Sequence, residues 1–213
     1  MIKQISQESK KCWWCGSDAN SGEHRHKKSD LKRIFGKKFE GKPVIIKNNK
    51  IIEIQGPNSK LLKFKKVLCK KCNNEVSQPF DKAYDRFISY IETNRDLIIK
   101  SEKIDFTKIF ETNALECKKN VFRYYIKHIA CRLATNNYSI EPEIIDYLNG
   151  KCNLKYIYIK FEIRYDIISF MKKIKKEIPD FGNLYLGPFR YVKPNKETDM
   201  VNLVHSYINY QWF

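Results

Sequence analysis

The architecture of this chain depends on three short stretches: CWWC at residues 12–15, GEHRH at residues 22–26 and CKKCN at residues 69–73. Two Cys-x-x-Cys pairs bracket an acidic residue joined to a histidine, and an asparagine follows the last cysteine. One tight turn of this spacing delivers two thiolates, and four thiolates suit a tetrahedral structural zinc. Such a closed site supplies folding free energy that a lysine-rich segment cannot gain from burial alone. We therefore expect a zinc held between the two pairs.

Three polar side chains lie beside these cysteines in the sequence. Glu23 and Asn73 offer hard oxygen ligands, which magnesium or manganese prefers and a soft thiolate site does not provide. His24 is the side-chain type whose pKa best suits a general base at neutral pH. A zinc site that holds a carboxylate, an imidazole and an amide close together is typical of a small metal-dependent nuclease centre.

The order Cys-x-x-Cys, acidic-His, Cys-x-x-Cys-Asn resembles the HNH, or ββα-metal, endonucleases, and is most similar to the zinc-stapled branch that includes phage resolvases. GEHRHKKSDLKRIF at 22–35 and LCKKCNNEVSQPFDKAY at 68–84 also resemble a bacterial group of HNH proteins. The resemblance is confined to the first part of the chain, and we predict a nuclease domain over residues 1–96. It says nothing about residues 97–213, which we predict to form a helical and β accessory domain.

The resemblance implies a role for each residue of the motif. It implies a structural zinc on the four paired cysteines, Cys12, Cys15, Cys69 and Cys72. It also implies that His24 is the general base and that Glu23 and Asn73 bind a catalytic magnesium or manganese ion. The predicted activity is metal-dependent hydrolysis of phosphodiester bonds in DNA. The sequence does not choose among restriction, phage defence and mobile-element roles.

This sequence departs from the commoner family pattern in three places. Glu23 stands where aspartate is more usual, and Arg25-His26-Lys27 replaces the familiar hydrophobic-x-Pro after the histidine. The segment from His24 to Cys69 is also long for the motif. If residues 22–26 form a short strand, alternation puts His24 and His26 on one face. His26 is therefore a further catalytic candidate, and Asn74 and Asp81 stay open as additional members of the site.

The charge of the chain is concentrated on the half that holds the motif. The protein has 41 lysines and arginines against 24 aspartates and glutamates, a net charge of +17. Residues 1–80 carry 19 basic and 7 acidic residues, net +12, whereas residues 81–213 carry 22 and 17, net +5. A polyanion-binding surface requires such an excess. Solubility charge is the plainer alternative.

The composition of the chain indicates its structural class and its location. Hydrophobic content of 42% and aromatic content of 14% predict a folded globule. No apolar run approaches the length of about 20 residues needed to cross a bilayer, and no signal segment opens the chain. Four of the seven cysteines stand at zinc spacing, and the others are expected to be buried thiols. These features predict a cytoplasmic protein with no membrane partner.

The pattern along the chain predicts an α+β protein. Residues 42–66 indicate β structure, with a hairpin over 44–54 that turns at Asn48-Asn49, and they form an insertion inside the nuclease motif. The insertion either surrounds nucleic acid or extends the sheet. A short helix is predicted to begin at Ser29 or Asp30 as its cap and to end at Gly36. A second helix follows Asn74 with Pro79 in its first turn and an apolar stripe at 80, 83, 84, 87, 88 and 91. Residues 105–150 are mainly helical, with an apolar stripe at 122, 125, 126, 129, 130 and 133. The last 60 residues indicate a helix over 167–176 and strands over 184–192 and 201–210.

Two other readings of the chain stay open. The first is a non-catalytic zinc ribbon whose basic arms bind nucleic acid without cutting it. Zinc and charge fit both this class and a nuclease, and only the acidic-His pair and Asn73 separate them. The second is a structural or regulatory protein that meets a protein partner or a second copy through residues 97–213.

Trp13 and Trp14 likewise have two interpretations, base stacking or apolar padding of the zinc turn.

Overall fold

The computed structural model describes residues 11–37, 39, 43–47, 50–155, 157 and 159–177, together with four short strands between residues 184 and 210. The helices of these ranges are α1 (Lys28–Phe35), α2 (Gln78–Thr93), α3 (Arg95–Ser101), α4 (Phe106–Phe110), α5 (Ala114–Thr135), α6 (Pro142–Leu148) and α7 (Tyr165–Glu177). A 3₁₀ turn spans Lys60–Leu62 and a π-helical turn spans Lys71–Val76.

The strands of the described ranges form antiparallel pairs. They are β1 (Val44–Lys47), β2 (Lys50–Glu53), β3 (Leu184–Leu186), β4 (Arg190–Val192), β5 (Leu203–His205) and β6 (Ile208–Tyr210). β1 pairs with β2, β3 with β6 and β4 with β5. Helices with small antiparallel sheets agree with the α+β class. The ββα-metal arrangement itself stays a prediction.

The chain divides into two compact units, each built from two separate segments. The hairpin unit contains His24–Phe64 and Arg164–Phe213, and the helical unit contains Ile2–Glu23 and Lys65–Ile163. The chain passes from one unit to the other at the peptide bond between Glu23 and His24. The division at residues 96 and 97 was inferred from the extent of the motif, not from compactness, and it stays a prediction.

The core of the helical unit is aromatic and lies around α2 and α5. The apolar stripe predicted on α2 is buried over most of its length. Tyr84 of α2 stacks on Tyr124 of α5 with ring centroids 3.8 Å apart. Phe87 stacks on Phe106 of α4 at 5.6 Å, and Phe161 packs against Phe87 at 5.2 Å. Burying a large apolar side chain contributes about 1.5–3 kcal/mol, so these rings fix the helices against each other.

Helix α5 is buried around most of its circumference, which the predicted stripe at 122, 125, 126, 129, 130 and 133 does not account for. Its buried side chains include apolar residues at Val121, Tyr124 and Ala130. They also include the polar residues Lys127, His128, Cys131 and Arg132. A helix buried on several faces is central to its fold. Its polar side chains therefore need partners inside the protein.

The hairpin unit has a smaller apolar cluster. Leu31 of α1, Phe39, Ile54 and Leu62 are buried together, and Phe35 and Ile45 pack against them. The hairpin forms as predicted, with Ile45 opposite Ile52; Asn48 and Asn49 lie outside the described residues. α1 ends at Phe35 before Gly36, also as predicted. Its first residue is Lys28, however, and no side chain caps it.

Two sequence-based expectations are corrected by the structure. No continuous strand runs over residues 22–26, because pairing there is limited to isolated bridges at Ser21 and His24, and Arg25 and His26 form a bend. Alternation therefore does not govern which way His24 and His26 face. The segments predicted as strands over 184–192 and over 201–210 each contain two short strands, β3 and β4 in the first and β5 and β6 in the second, and the two strands of each segment have different partners.

Candidate metal and nuclease site

The four paired cysteines come together in the helical unit. Their sulfur atoms lie within 4.8 Å of one another, and the Sγ atoms of Cys15 and Cys69 are 3.6 Å apart. A tetrahedral ion with metal–sulfur bonds of about 2.3 Å separates its sulfurs by about 3.8 Å. Cys12, Cys69 and Cys72 are buried, and Cys15 is exposed. The arrangement can therefore hold one structural metal ion such as zinc, in a closed site.

Two tight turns bring the cysteines of each pair together. In the first turn the backbone N–H of Gly16 donates to the carbonyl of Cys12 at 2.8 Å. Gly16 has a φ of 78°, a left-handed conformation that glycine adopts without strain. In the second turn the N–H of Asn73 donates to the carbonyl of Cys69 at 3.0 Å, and the N–H of Cys72 donates to Sγ of Cys69 at 3.3 Å. The π-helical turn follows, in which the N–H of Ser77 donates to the carbonyl of Cys72 at 3.2 Å.

A short antiparallel contact joins the two turns. The N–H of Ser21 donates to the carbonyl of Leu68 at 2.8 Å, and the N–H of Leu68 donates back to Ser21 at 3.3 Å. The backbone N–H of Lys70 donates to the side-chain oxygen of Asn20 at 2.9 Å. Backbone pairing therefore fixes the distance between the pairs before any ion is considered.

The thiols differ in their readiness to ionise. Hydrogen bonds from the side chain and the backbone N–H of Ser17 lower the pKa of Cys15 to about 6. Burial raises the pKa of Cys12 and that of Cys72. Cys15 is thus a thiolate at neutral pH, whereas the buried thiols release protons when a metal ion binds. Metal affinity should consequently fall as the pH falls.

The tryptophans of the first turn favour the padding interpretation. Trp14 is buried, its ring stacks on Phe80 of α2 at 6.1 Å, and its Nε1–H donates to the side-chain oxygen of Asn149 at 2.9 Å. Trp13 stacks on Trp14 at 5.6 Å. These contacts attach the cysteine turn to the helices. A base-stacking role is not needed to explain Trp14.

Asn73 has one anchored atom and one unpartnered atom. Its Nδ2 donates to the hydroxyl of Ser21 at 3.0 Å. Its Oδ1 is buried and accepts no hydrogen bond from any residue that the structure describes. A buried acceptor without a donor costs about 1–3 kcal/mol. An amide oxygen held in this way fits a hard cation such as magnesium or manganese.

Glu23 has a buried cation as its neighbour. The Nζ atom of Lys127 lies 2.8 Å from Oε2 of Glu23 and 3.7 Å from Oδ2 of Asp81. Lys127 is 1% exposed. Burial by itself lowers the pKa of Lys127, but the carboxylates of Glu23 and Asp81 outweigh it and raise the pKa. The ammonium is therefore charged, and Glu23 is ion-paired through one of its two oxygens.

A buried hydroxyl connects this ion pair to Asn73. Lys127 donates to Oγ of Ser77 at 3.1 Å, and Ser77 donates to the backbone carbonyl of Asn73 at 2.8 Å. The Glu23 carboxylate is thus connected, through the buried side chains of Lys127 and Ser77, to the backbone carbonyl of Asn73. Sequence reasoning missed both Lys127 and Ser77. The full burial of α5 is the signal that points to Lys127, because a lysine on such a helix must be paired.

His24 is oriented by the inserted segment of the hairpin unit. Its Nε2 lies 3.2 Å from the carbonyl oxygen of Pro57, and its backbone forms an antiparallel bridge with Lys63. A carbonyl only accepts, so Nε2 donates in this contact, and in the neutral imidazole the lone pair is then on Nδ1. The insertion therefore has a role that neither sequence-based alternative included. It fixes the tautomer and the ring orientation of His24.

The remaining candidates are dispersed. His26 is buried in the hairpin unit, and Asn74 is exposed in the π-helical turn. Asp81 takes part in the Lys127 ion pair. Among the described Cys, His, Asp and Glu side chains, the four cysteines are the only group of three or more that can hold an ion. An ion on Glu23 and Asn73 would take its other ligands from water and substrate.

Comparison with protein-family models, curated proteins and solved structures finds no match to this chain. Within the ranges that the structure describes, no helix combines the length and the apolar character needed to cross a membrane.

Proposed function

We propose that this protein is a divalent-metal-dependent endonuclease of the HNH type that hydrolyses phosphodiester bonds in DNA. The cysteine cluster would hold a structural zinc, and Glu23, Asn73 and His24 would perform the chemistry. The observation that carries the proposal is the buried, unpartnered Oδ1 of Asn73. An amide oxygen without a donor, directly after the last paired cysteine, is suited to bind a hard divalent cation.

The orientation of His24 supports its role as the base. The Pro57 carbonyl holds the proton on Nε2, so Nδ1 is the nitrogen that accepts a proton from water. Neutral imidazole is the form required of a general base. Because Glu23 precedes His24 directly, the ion ligand and the base are joined by one peptide bond.

A divalent ion on Glu23 and Asn73 would stabilise the charge that grows on the phosphate and the leaving oxygen. One contact at each of Glu23 and Asn73 orients the side chain for such an ion. Oε2 of Glu23 is held by Lys127, which leaves its other oxygen as the candidate ligand. Ser21 fixes the amide of Asn73 through Nδ2. The cysteine site takes no part in the reaction, since four thiolates leave no open position.

Charge supports a polyanionic substrate. The segment His24–Phe64, which carries the proposed base, contains 12 lysines and arginines and 3 acidic residues, net +9. Counterion release on binding phosphates makes such a surface salt-sensitive.

Incubation of the purified protein with supercoiled plasmid and linear DNA tests the proposal. We expect cleavage in magnesium or manganese and none with excess EDTA. Asn73→Ala should reduce the rate by about 10–100-fold, with partial recovery in excess manganese because the ion is bound more weakly. Asn74→Ala, which changes the neighbouring exposed amide, is the matched control and should cleave normally. Equal loss in both variants, or cleavage that survives EDTA, would contradict the proposal.

A non-catalytic zinc-ribbon binder is the second candidate, and one observation favours it. Glu23 already has a cation, because the ammonium of Lys127 lies 2.8 Å from its carboxylate. A buried carboxylate paired in this way is stable without any further ion. If this candidate is correct, DNA binds in a salt-dependent manner and no metal supports cleavage.

A further inference from the structure

Three charged side chains form a cluster beside the proposed ion site. Glu23 and Asp81 each carry a negative charge, and Lys127 carries a positive charge within 2.8 Å of one and 3.7 Å of the other. Their net charge is therefore −1. Lys127 is inaccessible to solvent, so water and salt screen its charge poorly.

A fixed cation beside a ligating carboxylate repels a second cation. Two carboxylates without Lys127 would attract a divalent ion strongly even in the absence of substrate. With Lys127 in place, part of their charge is already neutralised. A phosphodiester supplies the missing negative charge, because it brings anionic oxygens to the same ion. The affinity for metal then depends on whether DNA is bound.

We infer that Lys127 is a positioning and charge-balancing residue that weakens divalent-ion binding in free protein and couples it to DNA binding. This inference rests on the proposed function, since it concerns the ion on Glu23 and Asn73. It goes further by stating that the ion and the phosphodiester each bind more tightly when the other is bound. By linkage the two enhancements are equal.

The test measures the affinity for Mn²⁺ by the electron paramagnetic resonance signal of the free ion. Full-length protein with its zinc retained is used, in a His24→Ala background so that DNA stays intact. Affinity is measured without DNA and with a duplex oligonucleotide. The variants are Lys127→Gln, which keeps hydrogen bonding and removes the charge, and Asp81→Asn, which removes a negative charge. Asp96→Asn, which removes an exposed negative charge elsewhere in the helical unit, is the matched control.

The two charge changes should alter the affinity for Mn²⁺ in opposite directions. Without DNA, Lys127→Gln should tighten Mn²⁺ binding by about tenfold or more and reduce the enhancement by DNA. Asp81→Asn should weaken binding by a similar factor, and Asp96→Asn should change it little. A purely structural role predicts weaker binding in both charge variants.

Several results would overturn the inference. Unchanged or weaker Mn²⁺ binding in Lys127→Gln would contradict it directly. If that variant does not fold, the protein that retains Lys127 is tested instead. An Mn²⁺ affinity that is the same with and without DNA would then contradict the inference. A failure of the proposed function would be distinguishable. In that case Glu23→Gln would leave Mn²⁺ binding unchanged while DNA binding persists.

Discussion

The helical unit and the hairpin unit hold polar groups in different ways. In the helical unit the cysteines, Asn73 and the Glu23–Lys127 pair are surrounded by packed aromatic helices, and most of these groups are buried. In the hairpin unit a small apolar cluster around Leu31 supports a segment with net charge +9 between residues 24 and 64. Metal ligands need fixed geometry, whereas a polyanion surface needs charge more than precision. The two units thus suit the two tasks of the proposed enzyme.

The largest expected effect is loss of the metal from the helical unit. Cys69→Ser should abolish zinc binding and most of the soluble protein, because structural zinc contributes about 10–16 kcal/mol in small zinc domains. Metal analysis should show one zinc per chain before the change and none after it. Cys117→Ser, which alters a cysteine outside the cluster, should keep its zinc. A well-folded Cys69→Ser protein without zinc would contradict the structural role.

The next effect concerns the charge of the hairpin unit. Lys32 and Lys37 are exposed there, and Lys100 and Lys103 are exposed in the helical unit. The double variant Lys32→Gln, Lys37→Gln should reduce the slope of log affinity against log salt by about two, one per lost phosphate contact. The pair Lys100→Gln, Lys103→Gln should leave the slope nearly unchanged. Equal slopes for the two double variants would mean that the charge of the hairpin unit is ordinary surface charge.

The smallest effect tests how the cysteine turn is attached to the helices. Asn149→Ala removes the acceptor of the Trp14 indole and leaves a buried donor without a partner. We expect a loss of about 1–3 kcal/mol in the free energy of unfolding, with zinc content unchanged. Chemical denaturation measures the difference. Asn153→Ala, at an exposed asparagine four residues further along the chain, should leave the free energy of unfolding nearly unchanged, and an equal loss would argue against a specific Trp14 contact.

Local sequence patterns predicted much of the fold. The β1–β2 hairpin followed from two short apolar runs on either side of Asn48-Asn49, and α2 followed from its apolar stripe and Pro79. The cysteine cluster followed from ligand spacing, because a Cys-x-x-Cys turn needs little tertiary context. Short-range physics determines these features. They could therefore be read from neighbouring residues.

The parts of the site that were missed depend on contacts between distant residues. Lys127 approaches Glu23 only because α5 is buried on several faces, and Ser77 reaches Asn73 through the π-helical turn. The Pro57 carbonyl reaches His24 across 33 residues of the insertion. A lone lysine or a backbone carbonyl carries no sequence signal of such a role. The predicted strand over residues 22–26 failed for a related reason, because only isolated bridges form there.

We propose His24, and not His26, as the base of the nuclease centre. The most direct measurement is single-turnover cleavage of DNA by His24→Ala and His26→Ala, with zinc content and DNA affinity measured on the same samples. Removing a general base costs about 10²–10⁴-fold in rate. We predict a loss of this size for His24→Ala with zinc and DNA binding retained, and a smaller loss for His26→Ala. Near-normal cleavage by His24→Ala together with an inactive His26→Ala would contradict the assignment of His24, and the role of Glu23 beside it.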